Sequence, residues 1–166
     1  MEDELVQRWN SVVTPQDTVY HLGDFGYVKR LEVERILGKL NGHKHLVTGN
    51  HDSSAITGVH GWESVSAYRE IRVTPAEPKV VLSHYGMRVW NKSHYGAIHL
   101  YGHSHGSLPG DSQSLDVGVD CWDYTPVTID QIKARLALLT PRTHPDHHQL
   151  RQHGDAHEDA HENEDR

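Results

Sequence analysis

Four strand-like runs in this chain end in a small residue followed at once by one that can ligate a metal. They are Leu22-Gly23-Asp24, Thr48-Gly49-Asn50-His51-Asp52, Leu82-Ser83-His84 and Tyr101-Gly102-His103-Ser104-His105. Open α/β sheets set their chemistry in the crevice at the carboxyl ends of strands. The pattern therefore constrains both the fold and the location of a site. Gly23, Gly49 and Gly102 each precede a candidate ligand, where a strand must turn sharply and let side chains converge. The candidate donors are carboxylate, amide and imidazole, with no thiolate. That set suits Mn, Fe, Ni or Zn better than an all-oxygen Mg or Ca site.

The rest of the chain supports a layered α/β arrangement. Glu2 to Val13 reads as a helix, with Leu5, Val6, Trp9, Val12 and Val13 at helical spacing, and Thr14-Pro15 ends it. Thr18 to Leu22 reads as a short strand and Val28 to Leu40 as a second helix stopped at Asn41-Gly42. Lys44 to Thr48 is a strand, Ser53 to Gly61 a loop or short helix, and Ser66 to Thr74 an edge strand closed by Pro75 and Pro78. Lys79 to Ser83, Ala97 to Tyr101 and Ser114 to Val119 are further strands. Val127 to Leu139 is a last helix, with a capping box at Thr128-Ile129-Asp130-Gln131. Helices alternating with strands, then a run of strands, predict an α/β layered sandwich of αββα type with mixed β-sheets. The first strand comes only after a helix, so the usual βαβ rhythm starts part-way through.

Composition separates body from tail. His144 to Arg166 holds 6 His, 7 acidic and 2 basic residues, which accounts for −5 of the formal charge of −7. The tail reads as a disordered solubilising segment, with metal binding by its histidines as the alternative. Residues 1–143 form one near-neutral domain with no electrostatic case for a nucleic-acid groove. Hydrophobic residues at 36% and a mean hydropathy of −0.68 leave no membrane-spanning run. Cys121 is the single cysteine, so no internal disulfide framework forms, and it reads as a buried inert thiol. Met1-Glu2-Asp3-Glu4 is no positive n-region, and a cytoplasmic protein is expected.

The ordered motifs Gly23-Asp24, Gly49-Asn50-His51-Asp52, Ser83-His84 and Gly102-His103-Ser104-His105 resemble those of the calcineurin-like metallophosphoesterases. The resemblance runs from about Glu2 to Leu139 and is closest to the small bacterial and phage members. Trp9-Asn10-Ser11 and His21-Leu22-Gly23-Asp24-Phe25 share the look of that branch. The resemblance implies two divalent ions, with Asp24 bridging them. Asn50, His84 and His103 would complete one ion's site and His105 would serve the other. His51 would act as general acid or electrophilic donor, and Asp52 would orient it by accepting its other ring N–H. Two such ions clamp an in-line displacement and activate water. The implied reaction is hydrolysis of a phosphomonoester or phosphodiester, a nucleotide among the candidate substrates, with Asn50, His51 and Arg88 near the phosphate.

One departure matters. The family opens with a strand ending in Asp-x-His, and no such motif stands before Asp24, since neither Asp3 nor Asp17 has a histidine two places on. The N-terminal strand is expected to be missing. Four ligands then remain for one ion and two for the other, which leaves a catalytically impaired, single-metal or scaffold form as the alternative. Gly86 stands where related sequences often carry proline after the equivalent of His84. Asp52 could instead cap the next helix. His21 reads as a sheet histidine, and His43, His45, His60, His94 and His99 as surface or outer groups. Trp90 and Lys92 share the loop of Arg88 and read with it as solvated, while Trp62 and Trp122 read as core.

Overall fold

A computed structural model describes residues 2–26 and 29–143. The tail expected from His144 onward, and Val28 at the start of the second helix, lie outside the described residues. The element order is α1 (Glu2–Val12), β1 (Thr18–His21), α2 (Arg30–Lys39), β2 (His43–Val47), α3 (Ser54–Thr57), β3 (Ser64–Ser66) and β4 (Tyr68–Ile71). There follow β5 (Val80–Ser83), a 3-10 turn (Ser93–Tyr95), β6 (Ile98–Tyr101), β7 (Ser114–Asp116), a second 3-10 turn (Val119–Cys121) and α4 (Ile129–Leu136).

The strands form two sheets. One is three-stranded and parallel, in the order β1-β2-β3. The other is mixed, in the order β4-β5-β6-β7, with β4 antiparallel and the rest parallel. Alternation along each strand decides which layer each side chain enters. Leu46 turns toward the helices and packs with Val33 and Leu37 of α2, Ile56 of α3 and Trp9 of α1. Its neighbour Val47 turns the other way and joins Val80, Leu82, Leu100 and Leu115 of the second sheet, with Ile132 and Leu136 of α4. Val81, one residue out of phase, meets Trp90, Ala97 and Met87 on the far face. The result is an α/β sandwich. The all-buried run Val80-Val81-Leu82-Ser83 is what a strand covered on both faces requires.

Local chemistry sets the helix ends. Asn10 Nδ2 donates to Lys39 O at 2.8 Å, and Asn41 N–H donates to Asn10 Oδ1 at 2.8 Å, so α1 satisfies the exit of α2. The Thr128–Gln131 capping box is present at the start of α4. Among the described residues no helix is long and apolar enough to cross a membrane.

Two sequence expectations are corrected. The single strand expected over Ser66 to Thr74 is two strands in different sheets, β3 and β4, and the chain steps between sheets at Ala67. His99 is not an outer group. It is wholly buried, between Trp90 and Tyr101, with Nδ1 against Val81 O at 3.1 Å and Nε2 accepting from Met87 N–H at 3.1 Å. Trp90 is likewise core rather than solvated loop.

Candidate metal centre

The carboxyl ends of β1, β2, β5 and β6 converge at one rim of the sandwich. Asp24 follows β1, Asn50, His51 and Asp52 follow β2, His84 follows β5, and His103 and His105 follow β6. Asp24, His84 and His103 bring one ligand atom each within 4.8 Å of one another. At their centre is Nε2 of His84, which lies 3.3 Å from Asp24 Oδ2, 3.0 Å from Asn50 Oδ1 and 3.2 Å from His103 Nδ1. The other ring nitrogen, Nδ1, meets Leu22 O at 2.7 Å. A carbonyl only accepts, so Nδ1 carries a proton, and in its neutral form the ring presents the Nε2 lone pair to the group.

Backbone geometry brings these side chains inward at a cost. Asp24 (φ 56°), His103 (φ 63°) and His105 (φ 47°) all adopt left-handed conformations. Such conformations in residues with side chains cost about 1–3 kcal/mol each and gather at functional sites. The loops also touch at glycines. A Cβ on Gly49 would lie 2.3 Å from Asp24 Oδ1, and one on Gly23 would lie 2.5 Å from the amide nitrogen of Gly49.

Asp52 has a task that its neighbours in sequence do not announce. From sequence it should accept the ring N–H of His51. The bonds found are from backbone: Oδ2 accepts from Gly49 N–H (2.8 Å) and Asp24 N–H (2.9 Å), and Oδ1 accepts from Phe25 N–H (2.9 Å). It therefore fastens the turn after β1 to the turn after β2. Nor does it cap α3, where Ser53 supplies the cap. His51 is exposed, and its backbone N–H donates to Asp24 Oδ1 at 2.9 Å. Asn50 is exposed at the mouth of the group.

His105 stands outside the three-residue group. Nδ1 of His105 bonds Oδ2 of Asp120. That bond raises the His105 pKa, and the charges of Asp116 and Asp24 act in the same direction. Burial pushes the Asp120 carboxyl up, but its bonds to His105 and to its own backbone N–H leave it below the ordinary value. Arg88 is exposed, and its carbonyl accepts from Arg142. Burial lowers the His21 pKa against the opposing pull of Asp52 and Asp24, and Nδ1 of His21 is buried with no hydrogen-bond partner among the described residues. Its ring packs on Phe25 and Trp62. Cys121 is half-buried, and burial pushes its thiol up.

Sequence reasoning missed Asp116 and Asp120. Asp116 is buried at the end of β7 and accepts from Ser104 Oγ (2.5 Å), Gly106 N–H (3.0 Å) and Gly118 N–H (2.8 Å). The signal was present: Ser114-Leu115-Asp116 is one more strand that ends in a ligand-type residue.

No protein-family profile matches the chain. It is 28% identical over 141 residues to the uncharacterized protein MJ1445 of Methanocaldococcus jannaschii, across 80% of this chain and 73% of that protein. It is also 28% identical over 150 residues to the gene 66 protein of Mycobacterium phage L5, across 71% of this chain and 72% of that one. Its fold is similar to the crystal structure of AQ665, a protein of unknown function from Aquifex aeolicus. The TM-score is 0.60 at 22% identity, covering 81% of this chain and 84% of the other.

Proposed function

We propose that this chain is a metal-dependent phosphoesterase that hydrolyses a phosphomonoester or phosphodiester, a nucleotide among the candidates. The observation that carries the reading is the convergence on Nε2 of His84. A carboxylate oxygen, an amide oxygen and a second imidazole nitrogen lie 3.0–3.3 Å from it. With Nδ1 of His84 bonded to Leu22 O, a neutral His84 ring would turn the Nε2 lone pair toward these donor atoms, an arrangement that a cation relieves. Ligand atoms each about 2.1 Å from one ion are roughly 3–3.4 Å apart, and the other three donor atoms stand at that spacing from Nε2 of His84. Mn, Fe, Zn or Ni suits the donor set.

Asp24, Asn50, His84 and His103 would hold the ion. When bound, it supplies positive charge that polarises a phosphoryl oxygen and lowers the pKa of a water. The chain's own residues do the rest. Asn50 and His51 stand exposed at the mouth, where a phosphate would meet an amide N–H and an imidazole. The bond from His51 N–H to Asp24 Oδ1 fixes the backbone that carries this ring, so His51 can deliver a proton to the leaving oxygen. Asp52 keeps Asp24 and Asn50 in register through the backbone. The reading sets this chemistry in the cytoplasm, in keeping with a single cysteine.

The test is turnover of bis-p-nitrophenyl phosphate with added Mn, beside the metal content of the purified chain. Turnover that His51→Ala reduces by about 10²–10⁴-fold supports the reading. A folded chain inert with every divalent metal overturns it. A second reading, a single-metal binding scaffold on the same fold, is favoured by the position of His105 outside the three-residue group. One ion per chain without turnover would select it.

A further inference from the structure

The loop Gly102–Gly106 carries two histidines in left-handed conformations, and what holds it in that shape is a pair of carboxylates four residues apart. Asp116 is 4% exposed and ties down the loop from below, through Ser104 Oγ and Gly106 N–H. Its other oxygen accepts from Gly118 N–H and so fixes the start of the next turn, Val119–Cys121. That turn sets Asp120 against Nδ1 of His105.

We propose that Asp120 is a positioning residue that commits His105 to the Nδ1–H tautomer, so that Nε2 offers its lone pair to a cation beside Asp24, His84 and His103. This rests on the metal-dependent reading above. A carboxylate only accepts, so the nitrogen facing it must carry the proton. Free imidazole side chains favour the opposite tautomer, so the default has to be overridden for Nε2 to serve as a donor. The same device already operates at His84, where Leu22 O accepts from Nδ1–H. Partners that hold the distal N–H are the usual complement of a ligating histidine, and losing one weakens metal affinity by about 10–100-fold. The plainer alternative is a surface His–Asp pair with no bearing on the site: the His105 side chain is 75% exposed, and such pairs contribute little to stability. That alternative gives the same Nδ1–H tautomer but no response of the His105 Nε2 to a cation.

Long-range proton–nitrogen NMR of the imidazoles, recorded on the metal-free protein at a pH where the rings are neutral and then with zinc, separates the two. The wild type should show His105 as Nδ1–H, with its Nε2 resonance shifting when zinc is added. Asp120→Asn should lose the Nδ1–H pattern at His105 while keeping it at His84. It should bind zinc about 10–100-fold more weakly at an unchanged Tm. Wild-type His105 in the Nε2–H form, or an Asp120→Asn variant with both tautomer and zinc affinity unaltered, overturns the proposal. Zinc that shifts His84 and His103 but not His105 overturns it too, and leaves the metal reading standing. Zinc that shifts none of the three overturns the metal reading itself, and the ligand role of His105 with it.

Discussion

Asp24 and Asp52 hold each other's loops: Asp24 N–H donates to Oδ2 of Asp52 at 2.9 Å, while the amide of His51, the residue before Asp52, donates to Oδ1 of Asp24 at 2.9 Å. The exchange leaves Oδ2 of Asp24, 3.3 Å from Nε2 of His84, facing the candidate metal position. One carboxylate serves the backbone and the other is divided between backbone and ligand.

Removing the Asp52 side chain should therefore loosen the site without touching a reacting atom. Asp52→Ala strips three backbone N–H groups of their acceptor, and each loss of this kind in a partly buried setting costs about 1–3 kcal/mol. A combined loss of at least about 3 kcal/mol is expected in urea denaturation. Metal affinity should fall with it. A variant of full stability and full affinity would refute the clasp.

Gly49 and Gly38 should respond to alanine with opposite signs. At Gly49 the added Cβ would meet Asp24 Oδ1 at 2.3 Å and the Asp24 amide nitrogen at 2.6 Å, so the two turns must separate. Gly49→Ala should cost about 1–3 kcal/mol and weaken metal binding. Gly38, inside α2, has nothing within 4 Å of its would-be Cβ. Gly38→Ala should stabilise the chain by about 0.5–1 kcal/mol, from helix propensity alone. Thermal melts of the two variants give the comparison directly.

His99 makes stability sensitive to acid. Burial lowers its pKa from the ordinary 6.5, against the pull of its bonds to the Val81 and Tyr85 backbone, with Arg142 lowering and Asp111 raising it further. A histidine whose folded-state pKa is depressed takes up its proton on unfolding, so its contribution is intact above about 6.5 and declines as pH falls from there toward the folded value. Protonation also sets a proton on Nε2 against the Met87 N–H. Chemical denaturation between pH 8 and pH 5 should show stability falling in that window. His99→Gln should flatten part of the slope, because His21 and His45 are lowered too. An identical slope in the variant would remove His99 from the account.

Divalent metal should stabilise the folded chain in proportion to occupancy. An ion at a hundred times its Kd adds about 2.7 kcal/mol. The gain should vanish with chelator and in His84→Ala, whose ring supplies the central nitrogen of the group. A Tm in the wild type that ignores Zn, Mn and chelator alike would count against the donor set.

Much of the site was legible because each candidate sits where a strand visibly stops. Gly23, Gly49 and Gly102 mark the stops, and the residues beyond them are the ones the fold gathers at one rim. The α/β layering followed from the same periodicities. Other features depended on partners far along the chain. Asp52 bonds Asp24 and Phe25, 28 and 27 residues earlier, and nothing beside it in sequence says so. The step between sheets at Ala67 leaves a continuous strand-like run in the sequence, because both halves are extended. The burial of His99 is set by Trp90 folding back over β6, which local polarity does not reveal. Asp116, by contrast, obeyed the strand-end rule and only needed it applied once more.

Asp24 and Asn50 arrive from the three-stranded sheet, His84 and His103 from the four-stranded one. The donor set thus exists only while the two sheets are docked, and no half of the molecule carries it alone. An ion bridging that seam would act as a rivet, adding nothing to either sheet by itself. It would bind late, after the layers have met, and would oppose their parting more than it hastens their meeting.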